Sequence, residues 1–427
     1  MRIPIALVIY VSLAAAAVFD CAAEVPQTGA PDWASTHTAG VAAFQRQSYE
    51  EAIECFKQSW SLSRGPAQRG ISANDLGQAY RLLGRPNDAK EWLRQAYDVW
   101  RADPHAGHNT AVAASSLGSL FRDAGDYARA EIFLREALGV SNLDPDSAAM
   151  VRTVLADLLR EQGRVAEARG LFLETVNHRE GVLSKNLVNA LIGLAEIDGK
   201  AGDREASAKE WNEVLAIARS EGDELSEAIA SRGLGSMWLT AGDPARAEPL
   251  LRRSLSIMES NPGATPLDLA NALCSMGLLY RAGNKLALAE AAWSRALELE
   301  RKALGDIHPQ VAWLREMLAD VYAERGECDK ARDYATQALE AMKRSLGEDA
   351  LPTATAFANR AAVERRASDL DAAAKDYERA FGIAHAHPGN EPLEKVLIER
   401  YASLLKTMHR DRQAKELSAL ARSFHSN

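Results

Sequence analysis

Apolar and small positions recur at helical spacing twice within residues 117–138, LGSLFRDAGDYARAEIFLREAL. Leu117, Gly118 and Phe121 share one face, and Ala130, Leu134 and Ala137 share another at i, i+4 and i+7. Gly125-Asp126 between them predicts a stop followed by a start. Glycine accepts the left-handed conformation past a helix end, and an aspartate side chain takes free amides at a helix beginning. The small residues Gly118, Ala130 and Ala137 predict two backbones approaching to roughly 8–10 Å.

The same pattern runs down the chain. The small residue opening the buried face of each second helix is Ala52, Ala89, Ala130, Ala168, Ser207, Ala247, Ala289, Ala331, Ala373 and Ala414, at intervals of 37 to 42 residues. A period near forty that carries helix–turn–helix predicts an α-solenoid, whose neighbours bury one another's apolar faces because a lone hairpin cannot enclose a core.

Two stretches carry a resemblance to a known family. Leu76-Gly77-x2-Tyr80, Gly84, Ala89, Leu93, Ala96 and Leu117-Gly118-x2-Phe121, Gly125, Ala130, Leu134, Ala137 resemble the tetratricopeptide repeat. The spacers Leu304-Gly305-Asp306-Ile307-His308-Pro309 and Leu346-Gly347-Glu348-Asp349 resemble the longer subtype of kinesin light chains and many bacterial proteins. The resemblance implies an all-α, right-handed superhelical solenoid of about ten hairpins over residues 33–427. It further implies that the first helices line a concave groove.

Departures from the pattern predict local differences. Repeat four has Leu159 where an aromatic is expected, and repeat five has Ile197-Asp198-Gly199-Lys200. A helix-interior glycine costs about 1 kcal/mol against alanine, so a hinge or irregularity is expected near residues 198–202. Repeat seven has one residue fewer between Tyr280 and Gly283 than Tyr80–Gly84 allows, which predicts a tighter turn. Ser368 replaces the turn glycine of repeat nine, and the charged last helix from Arg412 suits a terminal cap.

Residues 1–23 stand apart. Arg2, the uncharged run IALVIYVSLAAAAVF and Cys21-Ala22-Ala23 have the layout of a secretory signal peptide cut after Ala23. A Pro/Gly linker over 24–32 follows. The expected location is periplasmic or secreted; an uncleaved N-terminal membrane anchor is the alternative. Removing the signal leaves Cys55, Cys274 and Cys328, an odd count without close pairs, so no disulfide framework is expected. The net charge of −9 argues against a nucleic-acid partner, which wants a basic surface.

Catalytic and cofactor motifs such as GxxxxGK[ST], HExxH and GxSxG do not occur, so neither a reaction nor a cofactor is expected. His385 and His387 form a weak candidate metal pair. The more informative position follows the aromatic of each first helix: Arg81, Arg122, Arg160, Arg281, Arg365 and Lys406 occupy it in six of ten repeats. The resemblance points this position into the groove, with Asn74, Ser115, Ser119, Asp157 and Asn271 as neighbours by register. Arginine forks match carboxylates, so the stripe predicts a protein or peptide partner that is acidic or extended. The same cations also suit pairing with Glu131, Glu161 or Glu290, and Asp123, Asp157, Glu161, Asp320 and Glu324 on that face would dilute the stripe. The expected function is a non-catalytic protein- or peptide-binding scaffold. A structural subunit of a cell-envelope or secretion assembly is the alternative from another class, and a module sensing a small ligand is a third.

Overall fold

The computed structural model describes residues 32–423, apart from 47, 104–105, 141–142 and 388–390. The expected signal peptide, and all of the linker except Asp32, lie outside the described residues. Every described element is a helix, and the twenty helices pair into ten hairpins. Asp32 itself begins the first of them, its carboxylate accepting from the Ser35 amide.

The chain forms two compact units, divided between Gly233 and Leu234. The first holds α1(Trp33–Gln45), α2(Tyr49–Leu62), α3(Pro66–Leu82), α4(Pro86–Arg101), α5(Gly107–Asp123), α6(Tyr127–Leu138), α7(Pro145–Glu161), α8(Val165–Asn177), α9(Ser184–Ala201) and α10(Arg204–Glu221). The boundary falls inside α11(Glu224–Thr240). The second unit continues with α12(Pro244–Ser260), α13(Pro266–Ala282), α14(Leu286–Leu304), α15(Pro309–Glu324), α16(Cys328–Leu346), α17(Leu351–Arg366), α18(Leu370–His385), α19(Glu391–Thr407) and α20(Asp411–Ser423).

From α3 onward, one turn geometry makes the hairpins. Gly125 sits at φ +75°, and the Asp126 amide bonds back to the Phe121 carbonyl at 2.8 Å, a left-handed helix stop that leaves aspartate to begin the next helix. In repeat seven the left-handed residue is Asn284 (φ 56°), with Lys285 N to Tyr280 O at 2.8 Å. Tyr280–Asn284 therefore has the same length as Tyr80–Gly84, and the expected tighter turn is corrected: asparagine, which tolerates this conformation, takes the glycine's place. Ser368 (φ 63°) and His409 (φ 59°) do the same in the last two repeats.

The expected irregularity in repeat five is also corrected. Helix α9 runs unbroken to Ala201, and Gly202 supplies the usual left-handed stop at φ +87°. Gly199 is there for space: a Cβ would lie 3.0 Å from the Ser207 hydroxyl, which donates to the Ala195 carbonyl at 2.7 Å. Asp198, in the aromatic's place, is buried and takes a bidentate pair from Arg169 at 2.7 and 2.9 Å.

Side chains from the inner faces of neighbouring hairpins form the core. In the first unit Ala52, Phe56, Leu76, Leu93, Leu117, Leu134, Leu155 and Phe172 belong to one continuous cluster. In the second, Trp293, Leu314 and Leu318 anchor one cluster and Tyr377, Leu404 and Leu405 another. Successive first helices touch one another: α1 with α3, α3 with α5, α5 with α7, α7 with α9, and in the second unit α15 with α17. The first-helix faces are thus crowded, which decides what their polar residues can do.

Candidate functional site: the first-helix faces

In the first unit the face is closed by its own hydrogen bonds. The His37 Nε2 lies 2.9 Å from Asp75 Oδ2, and Asn74 donates to Asp75 Oδ1. Ser116 donates to Asn74, Gln78 donates to Ser116, and Arg81 Nε donates to Gln78. Arg81 then reaches Asp123 Oδ2 on the next first helix at 2.6 Å. The chain of bonds joins α1, α3 and α5. Asn74 is fully buried within it, and Ser115 and Ser119 are buried nearby. Residues expected to greet a ligand are thus used in holding the repeats together.

The arginine stripe continues in the same manner. Arg122 is buried, with a guanidinium nitrogen 3.6 Å from Asp123. Arg160 pairs with Asp157 at 3.0 Å and with Glu196 of α9 at 2.5 Å. Burial pushes the Asp157 carboxyl above the usual carboxylate range despite Arg160 and Arg122 beside it. Of the partners expected from the sequence, Glu131 and Glu290 are corrected. Glu131 is held by Arg135 and Arg164, and Glu290 by Tyr322 and Arg325. The stripe instead uses carboxylates of its own face.

The second unit differs. Arg281 on α13 pairs with Asp320 at 3.1 Å and Glu324 at 2.7 Å, both on α15. Arg365 and Lys406, the last two cations of the stripe, are exposed, and Asn271 is half-buried. Leu278, three residues before Arg281 and so on its face, is 36 % exposed, and Val396 on α19 is 42 % exposed. Solvent reaches a mixed apolar and charged surface here.

Two groups at this face were not singled out from the sequence. Glu316 on α15 is buried, and neither carboxylate oxygen has a hydrogen-bond partner. Burial pushes it up to about 7, with Asp320 adding to the shift. Its signal was present: Glu316, Asp320 and Glu324 stand at i, i+4 and i+8, one line along a helix. Glu196 had no comparable signal, because its partner Arg160 lies in the preceding repeat. His385 ends α18 and bonds Glu394 at 2.6 Å, while His387 Nδ1 meets the Ile383 carbonyl. Among the described residues no group of three or more His, Cys, Asp or Glu is placed to hold a metal.

Models of the tetratricopeptide repeat match residues 34–102, 68–143, 268–344 and 318–386, and a second set with the same description matches 116–180 and 192–265. The chain belongs to the tetratricopeptide repeat family. A curated human relative, protein O-mannosyl-transferase TMTC1, is 28 % identical over 230 residues, 54 % of this chain. The chain spans 23 % of that protein's length. Among solved structures, this tetratricopeptide repeat chain is similar to BtubC (BKLC) from P. vanneervenii, with TM-score 0.47, 19 % identity, and 52 % and 91 % of the two chains covered. It is similar to a kinesin light chain repeat protein from Podosopora anserina, at TM-score 0.41, 16 % identity, and 46 % and 94 % coverage. A tetratricopeptide repeat protein from Parabacteroides merdae gives TM-score 0.45, 18 % identity, and 68 % and 99 % coverage.

Proposed function

We propose that the protein is a non-catalytic scaffold that binds a protein or peptide partner on the first-helix face of its second unit. The observation that carries this reading is the contrast in exposure along the stripe. Asn74, Ser115, Ser119 and Arg122 are buried, whereas Leu278, Arg365, Val396 and Lys406 are open. Exposed apolar side chains among charges, on elements held rigid by packing beneath, are the make-up of a contact surface.

An acidic partner fits this face only in part. Arg365 and Lys406 could meet carboxylates, but Arg281 already has two. A photocrosslinking residue placed at Leu278 or Val396 tests the reading. A discrete crosslinked partner is expected there and not from Leu288, a somewhat more exposed position on a second helix. Equal yield from all three positions, or none, would overturn it.

We further propose that the scaffold works outside the cytoplasm. The supporting feature is the layout of residues 1–23, and a mature protein beginning at Glu24 by mass spectrometry is the expected result. Exposed apolar side chains on second helices, Ile132 at 63 % and Leu288 at 48 %, favour self-association within an envelope assembly as the second reading. Sedimentation velocity separates the two: a concentration-independent monomer supports the scaffold, and progressive growth supports the assembly subunit.

A further inference from the structure

We propose that the α13–α15–α17 face holds a cation subsite, in which Glu316, with Asp320 and Glu324 beside it, takes a lysine or arginine side chain of a bound peptide. The inference rests on the partner-binding reading of this face and adds the chemistry of what it receives. Helix α15 sets the three carboxylates in one line. Arg281 satisfies Asp320 and Glu324 and stops there. Glu316 is 4 % exposed, with both oxygens lacking a hydrogen-bond partner. Asn359 on α17 lies beside Glu316 and draws its pKa down against the burial that raises it, without reaching hydrogen-bond geometry to either oxygen.

A buried carboxyl group without partners is costly to the fold, because it gives up water and receives nothing in exchange. A donor arriving from outside would remove that cost. Ammonium and guanidinium groups fit best: each carries several N–H donors, and the charge complements a line of three carboxylates that Arg281, with Arg366 also acting on Asp320, neutralises only in part. Burial holds Glu316 up to about 7, so an incoming cation would also settle it in its ionised form. The Asp320 and Glu324 side chains, 32 % and 26 % exposed, mark the approach, and the Glu316 oxygens lie beneath that surface, so the incoming group must part the side chains that cover them. Leu278 on α13 offers an apolar bed for the methylene stem of such a side chain.

The test is selection of a displayed library of random peptides, each about a dozen residues, on the full-length protein, followed by anisotropy measurements with the selected peptides. Enrichment in lysine or arginine is expected. Changing the contacting lysine to norleucine, or Glu316→Gln in the protein, should each weaken binding by roughly tenfold or more, and the two changes together should cost little beyond either alone. The norleucine arm leaves the protein untouched, so the result does not depend on how Glu316→Gln folds. Selected peptides that lack basic residues, or that bind Glu316→Gln unchanged, would overturn the subsite while leaving the scaffold standing. No selection above background would overturn both.

Discussion

Gly277 shows how a single atom sets the spacing of a hairpin. A Cβ there would lie 2.2 Å from the Trp293 indole nitrogen, and Trp293 is fully buried with that nitrogen bonded to the Cys274 carbonyl. The indole cannot retreat, so Gly277→Ala should destabilise the protein by about 1–3 kcal/mol, read as a lower urea midpoint. Gly382, also within a helix, has open space around it, so Gly382→Ala should stabilise by about 0.5–1 kcal/mol in the same measurement. Glu300 carries a pH signature. It is buried against Cys274, one of its oxygens has no partner, and burial raises it from the ordinary 4.5 to about 7. The folded chain therefore holds this proton more tightly than the unfolded chain. The resulting stability is complete below about pH 4.5 and is lost as pH rises through about 7. Glu300→Gln should raise the melting temperature at pH 8 and leave it nearly unchanged at pH 4.5, with differential scanning calorimetry as the readout.

At the scale of the element, the unit is the hairpin with its left-handed stop and the polar contacts that join it to the next. The stop was legible wherever glycine fills it, as at Gly84 and Gly125. It was misplaced by one residue in repeat seven, because Gly283 precedes the asparagine that takes the conformation. The joining contacts were only half legible. Register put Arg81, Arg160 and Arg281 on one face, yet nothing local marks Asp123, Glu196 or Glu324 as their partners some forty residues on. Helix-to-helix stagger fixes which carboxylate each guanidinium meets, and stagger follows from packing. Arg160→Met should cost about 1–3 kcal/mol, since it removes the guanidinium that bridges Asp157 and Glu196 and leaves only Arg122 beside Asp157. Adding Glu196→Gln should recover part of that loss in a double-mutant cycle, a recovery that an arginine serving only a ligand would not give.

Across the whole molecule, the core is divided into separate clusters along the chain. Leu134 belongs to the continuous cluster of the first unit, whereas Tyr377 and Leu405 belong to a separate cluster in the second. Repeat arrays behave as sums of repeats and nearest-neighbour interfaces. Leu134→Ala, which empties a fully buried position, should cost about 2–5 kcal/mol. Hydrogen exchange should report that loss in α5 to α8 and leave α17 and α18 unchanged. An equal rise in exchange along the chain would mean one global cooperative unit instead.

The periodic sequence by itself determined the all-helical hairpin array, the place of nearly every turn and the small residues where helices approach. Each of these depends on interactions within a few residues or at one fixed period. Tertiary structure alone decided which residues of the stripe stay available. Asn74 disappears into a network drawn from three first helices, Arg81 and Arg160 clasp the next repeat, and Glu316 is left buried without a partner. Burial and pairing of a polar group are set by what neighbouring hairpins bring to it, and the spacing along one helix carries no record of that.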